Sequence, residues 1–272
     1  MDATHAVMGI AALSIISGTA SGQLVRSGSS ADAAGLQGIV DTFRNDLGDL
    51  NAPEPGTVGS GRRQIDWDAA PDAVSSPNDF PGDFFNANVF PRARGVEFTT
   101  PGTGFRLSAT EASGEGVRFS DIDITYETTF SAFSEERLFT PIGSTITDVN
   151  FFIPGTDVPA TTTGFGAVFT DVDLAGSSSI EFFDALGDSL GAFDVEAGPT
   201  ADGSLSFLGV SFEKAIIGSV RITSGDQALG GPESGYADLV ALDDFIFGEP
   251  VPTPGSIALL AVTAIAGTRR KR

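Results

Sequence analysis

The sequence predicts a mainly β protein, an antiparallel β-sandwich preceded by one short amphipathic helix. Three observations carry that prediction. Between Ile65 and Gly248, short runs rich in Phe, Val, Ile and Thr alternate with clusters of Gly, Pro, Asp and Ser, the rhythm of strands joined by tight turns. About ten or eleven such runs, with no repeat of solenoid or propeller length, indicate a sandwich. Hydrophobic residues make up 41% of the 272, with 22 phenylalanines, so the chain can bury a sizeable core.

The elements follow in chain order. Met1 to Gln23 holds an apolar stretch from Ala6 to Ile16 and then the small residues Ser17 to Gly22, the pattern of a secretory signal cleaved near Gly22. Asp2 stands where a basic residue is usual, and no Lys or Arg precedes Arg26. Leu36, Ile39, Val40, Phe43 and Leu47 then recur at helical spacing behind Asp32 as N-cap, which predicts a short amphipathic helix docked on the main domain. Asn51 to Gly61, rich in Pro and Gly, reads as a linker or loop. The organisation expected is a signal peptide over 1–22, helix and linker over 23–61, a sandwich over 62–249 and a tail over 250–272.

Strands are expected near Val96–Thr99, Phe105–Ala109, Val117–Ser120, Arg137–Thr140, Thr147–Ile153, Gly164–Asp173, Ser179–Asp184, Leu190–Val195, Leu205–Phe212, Gly218–Thr223 and Ala237–Phe247. In Leu205–Phe212 both faces carry apolar residues, which predicts a central strand. These segments form one economical domain.

Composition then narrows the chemistry. Lys+Arg 15 against Asp+Glu 36, a net charge of −21, excludes a nucleic-acid partner, because phosphate binding needs a basic face. There is no cysteine, and the single histidine, His5, lies in the leader. A mature body without His or Cys, and with Lys214 as its one lysine, has lost thiol nucleophiles, Ser-His-Asp triads and His-ligated zinc. Carboxylates are the remaining chemistry.

Asp66/Asp68, Asp121/Asp123 and Asp171/Asp173 are spaced by two, which in a strand places both acids on one face. Oxygens at that spacing suit Ca²⁺, with Asp171, Asp173 and Asp243 as candidate ligands. Asp243 and Asp244 are neighbours, so in a regular strand only one of them faces a given site. The alternative for all of these acids is turns and solvated faces. A carbohydrate-binding role would use exposed aromatic side chains, and Trp67, Tyr126 and Tyr236 are the Trp and Tyr present. The polar loop from Ser224 to Gly235, with Asp226 and Glu233, is the expected ligand loop beside Tyr236. Catalysis would need two facing carboxylates of glycosidase type, and the scarcity of Trp and Tyr argues against a substrate cleft.

The C-terminus is the most specific segment. Glu249 to Gly255 contains Pro252-Thr253-Pro254, apolar residues run from Ile257 to Ala266, and Arg269-Arg270-Lys271-Arg272 ends the chain. The apolar run is shorter than a spanning helix, and the basic end would hold it transiently on the cytoplasmic side of a membrane during export. This tail resembles the PEP-CTERM sorting signal of bacteria that process exported proteins with exosortase, with Thr253 where the family motif has Glu. The body resembles a group of uncharacterised exported PEP-CTERM proteins through Gly61-Arg62-Arg63-Gln64-Ile65-Asp66-Trp67-Asp68, Pro81-Gly82-Asp83-Phe84-Phe85-Asn86, Thr100-Pro101-Gly102-Thr103-Gly104-Phe105, the run from Gly164 to Asp173, and Leu242-Asp243-Asp244-Phe245-Ile246-Phe247-Gly248. The closing paired acids are similar to those of jelly-roll binding modules at bacterial surfaces. These resemblances imply an exported, non-catalytic surface or extracellular-matrix β-sandwich with an exosortase-type processing partner. The alternatives are a polysaccharide-binding module with structural calcium and a carboxylate-pair glycoside hydrolase.

Overall fold

A computed structural model describes residues 22–232 and 236–253. The leader up to residue 21, Glu233, and the tail residues Pro254, Arg269, Arg270, Lys271 and Arg272 lie outside the described residues.

The first strand, β1, is Gln23–Ser30, followed by α1 at Ala33–Leu47 and β2 at Arg62–Ile65. Next come β3 (Val96–Thr99), β4 (Gly104–Leu107), the one-turn α2 (Tyr126–Thr129), β5 (Phe139–Ile142), β6 (Ile146–Phe151) and β7 (Ala160–Thr161). The second half supplies β8 (Gly164–Thr170), β9 (Ser179–Asp184), β10 (Ser189–Asp194), β11 (Leu205–Phe212), β12 (Ile217–Thr223), β13 (Ala241–Gly248) and β14 (Val251–Pro252).

The strands form two large antiparallel sheets, one ordered β1-β11-β8-β13-β5-β4 with β2 also on β13, the other β10-β9-β12-β6-β3, and a two-stranded sheet of β14 and β7. β6 alternates buried and half-buried residues along its length, as expected of a strand with one face inward. β8 and β13 are buried at every position because both faces of their sheet are covered. The core between the sheets is largely aromatic, with Phe151 of one sheet meeting Phe165 and Phe247 of the other at ring separations of 6.3 and 5.7 Å.

Helix α1 covers the outer face of the larger sheet. Asp32 caps it by accepting a hydrogen bond from the Gly35 amide at 2.8 Å, and Leu36, Val40, Phe43 and Leu47 are buried against Val168, Leu205, Phe207 and Ile246. Gly166 and Gly209 are cross-strand partners, and a Cβ on either would lie 2.8–2.9 Å from the Phe43 ring. The paired glycines form the notch that admits this phenylalanine.

Most expected strands appear within a few residues of their expected limits, and Leu205–Phe212 lies between β1 and β8, inside its sheet. Three differences have clear physical causes. Val117–Ser120 is a turn, in which Arg118 and Phe119 adopt left-handed φ values of 48° and 65° while the Phe119 side chain fills a local core. The segment read as helix and linker contributes β1, which pairs along its whole length with β11. The tail boundary also moves outward, since Val251 and Pro252 pair with Thr161 and Ala160.

Candidate functional site

The site begins with an irregularity in β13. Leu242 is opposite Phe169 but Phe245 is opposite Ala167, so β13 carries one residue more than β8 between those pairs, a β-bulge at Asp243-Asp244. The bulge coincides with a change of partner on the other edge, where Leu242 pairs with β5 and Phe245–Gly248 pair with β2. The regular-strand expectation that only one of the two acids faces a given site therefore fails. Both side chains are buried, and both approach Ser134.

Ser134 Oγ donates to Asp244 Oδ1 at 2.7 Å and lies 3.4 Å from Asp243 Oδ1 and 3.5 Å from Asp68 Oδ2. Asp243 Oδ2 accepts from the Phe133 and Ser134 amides at 2.6 and 3.2 Å, and Asp68 Oδ1 accepts from the Glu136 and Arg137 amides at 3.1 and 3.0 Å. Three carboxylates thus hold the loop over residues 133–137. The nearby cation is Arg44 of α1, which reaches Asp244 Oδ2 at 2.8 Å while its Nε donates to Gln64.

Burial disfavours ionisation throughout this cluster. It raises Asp243 well above the usual carboxylate range, with the neighbouring Asp244 charge adding to the effect. It lifts Asp244 to about 6 against the opposing Ser134 hydrogen bond and Arg44 charge, and it raises Asp68 more modestly. A raised carboxyl keeps its proton in the folded state at a pH where the unfolded chain has released it, so stability falls as pH rises through the folded value. The melting temperature is expected to decline between about pH 4 and 7, and Asp244→Asn should flatten that decline; an identical slope in the variant, measured by thermal unfolding across that range, would contradict the assignment.

The other predicted site residues separate. Trp67 is 1% exposed, stacks on Phe139 at 4.4 Å and donates from Nε1 to the Asp243 carbonyl at 3.0 Å. It is a core residue and no sugar platform. Tyr126 is likewise buried, with its hydroxyl donating to the Gly231 carbonyl at 2.6 Å and accepting from the Gly230 and Gly231 amides, so it anchors the expected ligand loop from inside. Tyr236 is 97% exposed, and exposed Asp226 accepts from the Asp238 amide at 2.7 Å.

Asp171, Asp173 and Asp243 do not fit a shared Ca²⁺ site. Asp171 has φ 72° and accepts from the Gly203 amide, the Asp173 amide donates to Asp238, and Asp243 serves residues 133 and 134. The same-face expectation for Asp171/Asp173 fails because the left-handed Asp171 lies just beyond the end of β8. Among the described residues no group of three or more His, Cys, Asp or Glu side chains is arranged to hold a metal. Asp238, missed in the sequence, is buried and accepts from the Asp173 and Leu174 amides and Ser177 Oγ.

Next to the acid cluster lies an open pocket of about 180 Å³ lined by Leu50, Asn51, Gln64, Asp66 and Arg94 among others. It shares Gln64 with the cluster, since Gln64 Nε2 donates to Asp244 Oδ2 at 3.1 Å. Sequence reading missed Leu50, Asn51, Gln64 and Arg94 because they come from three separate segments. The available signal was β2 itself, where Gln64 and Asp66 alternate with buried Arg63, Ile65 and Trp67.

No family model matches this chain, and no curated protein matches it. Among solved structures, the carbohydrate-binding module TmCBM61, determined in complex with β-1,4-galactotriose, is 11% identical over 62% of this chain and 90% of its own, with a TM-score of 0.27. The enzymatically active domain of bacteriophage CBA120 tailspike protein 4 is 15% identical over 51% of this chain and 20% of its own, with a TM-score of 0.16. At these scores neither likeness carries an argument about this chain.

Proposed function

We propose that this chain is an exported, non-catalytic β-sandwich protein of the bacterial surface or extracellular matrix, sorted through its exosortase-type tail and retained there by binding polysaccharide. The observation that carries the non-catalytic reading is that Asp68, Asp243 and Asp244 are engaged in internal hydrogen bonds, to the 133–137 loop and, for Asp244, also to Arg44 and Gln64. A glycosidase pair must face a substrate across a cleft, whereas Asp68 and Asp243 face backbone amides and Asp244 faces Ser134, Arg44 and Gln64. Export is supported by the signal-like leader and the tail resembling a PEP-CTERM signal. Polysaccharide binding is favoured by the Asp66–Arg94 pocket, which joins charged, amide and apolar walls on one open surface.

The test combines fractionation with an assay for released reducing ends. The full chain is expected outside the cell and shortened at both ends, whereas a chain ending at Thr253, which keeps β14, should lose tail-dependent processing and surface retention. Incubation with neutral polysaccharides should release no reducing ends. An unprocessed chain in the cytoplasm would overturn the sorting reading, and steady release of reducing ends would overturn the non-catalytic one.

A further inference from the structure

The pocket beside β2 has an unusual electrostatic arrangement. Asp66 makes no hydrogen bond or ion pair with any described residue. Arg94 stands over the Phe85 ring at 5.2 Å and donates from Nη1 to the Gln64 carbonyl, while its Nε is buried without a partner and its Nη2 makes no hydrogen bond to any described residue. The two charges line one pocket without bridging each other. Asp66 acts on Arg94 only through space, opposing the burial that lowers the arginine's pKa, so in a chain with 15 basic residues both charged groups keep hydrogen-bonding atoms for a ligand.

The walls are fixed in advance. Leu50 bridges to Arg62 in parallel register, and the Asn51 amide donates to the Arg62 carbonyl at 2.9 Å. Arg63 ties the carbonyls of Glu54 and Gly56 at 3.1 Å each, and also that of Ala93, to one guanidinium. Binding here orders little of the protein, which favours affinity. Leu50 is 58% exposed and with Pro53 gives the pocket its apolar side.

We propose that this pocket is a glycan-binding subsite for a neutral sugar residue, with Asp66 accepting from one hydroxyl, Arg94 Nη2 donating to its neighbour, and Leu50 against the C–H face of the ring. A hydroxyl both donates and accepts, so a vicinal diol satisfies an aspartate and an arginine together. Of the three charged residues that line the pocket, Arg63 is paired with Glu249 while Asp66 and Arg94 offset each other, and a chain of net charge −21 repels polyanions, so the ligand class is neutral polysaccharide. The pocket is smaller than the roughly 300–1,000 Å³ of sites that enclose a drug-sized molecule, which suits one sugar unit of a longer strand. This assignment rests on the polysaccharide-binding reading above and names its site.

The experiment is affinity electrophoresis of the full chain through gels containing β-glucan, galactan, mannan, xylan or polygalacturonate. At least one neutral polymer should retard the protein, and Asp66→Asn and Leu50→Ser should each weaken that retardation, Asp66→Asn by about tenfold or more, the scale of a charge-assisted hydrogen bond. Asp66 makes no hydrogen bond to any described residue and its charge opposes ionisation of Asp68 and Asp244, so Asp66→Asn should not lower the melting temperature. Leu186→Ser, at the exposed β9–β10 turn, should bind as the parent does. Retardation unchanged in both pocket variants would overturn the site and leave polysaccharide binding standing. Retardation by none of the polymers would overturn both, and retardation by polygalacturonate alone, or its loss in millimolar free amino acid, would overturn the neutral-sugar assignment.

Discussion

Trp67→Ala is expected to lower the melting temperature of this protein by roughly 6–20 °C. The estimate combines a cost of about 3–5 kcal/mol for truncating a buried tryptophan with a shift of roughly 2–4 °C per kcal/mol in a domain of this size. Trp67 meets the rings of Phe80, Phe85, Phe98, Phe139 and Phe245 at separations of 4.4–6.0 Å, so its removal opens a cavity bounded by several segments. Trp67→Phe should cost less, retaining an aromatic ring but losing the Nε1 bond to the Asp243 carbonyl. As the chain's single tryptophan, Trp67 also reports its surroundings directly. Its fluorescence should be blue-shifted in the folded protein and unaffected by added glycan. An alanine variant melting within 2 °C of the parent would contradict its place at the centre of the core.

Arg63→Met should destabilise the protein by about 3–5 kcal/mol, because it leaves the Glu249 carboxylate buried without its cation. The two side chains are 2% and 1% exposed, and they form a bidentate pair through Nε–Oε2 at 2.7 Å and Nη2–Oε1 at 2.8 Å. Asn51 Nδ2 and the Val58 amide complete the shell at 2.9 and 3.2 Å, too little to hold a charge that has lost its partner. Arg63→Met combined with Glu249→Leu should recover much of the loss, since removing both charges removes the desolvation cost as well. A double-mutant cycle in urea measures this, and two additive single effects would show that the pair is not coupled. Because Arg63 also ties down the 54–56 loop, even the double variant should weaken glycan retardation at the Asp66 pocket.

Parts of this arrangement are readable from local sequence. The amphipathic stripe from Leu36 to Leu47, with Asp32 before it, marks α1 and its cap, since periodicity and capping are decided within one or two turns. The alternation around β6 and β9, and the short run apolar on both faces at β11, identify strands for the same reason. β1 is silent in these terms. Gln23–Ser30 is rich in Ser and Gly, and its pairing is dictated by the exposed edge of β11, about 180 residues later in a chain whose strands neighbour one another out of sequence order. The doublet Asp243-Asp244 interrupts an apolar run and so hints at a bulge, but Ser134, which both acids approach, comes from a loop 109–110 residues earlier.

The aromatic residues show the same division. Their identities announce a large core, but nothing in the sequence separates Trp67, Tyr126 and Tyr236 as ligand candidates. Folding buries the first under five phenylalanines, inserts the second beneath a glycine loop and leaves the third in solvent. For the carboxylates, spacing along the chain suggested same-face pairs, while left-handed backbone at Trp67 and Asp171 and the bulge in β13 redirect the side chains. Local order, the mainly β character, the acidic charge and the absence of Cys chemistry are properties of composition and short-range pattern, which do not depend on which strands meet. The sheet order, the buried acids around Ser134 and the pocket shared by Asp66 and Arg94 depend on contacts between distant segments, where burial and desolvation assign each side chain its role.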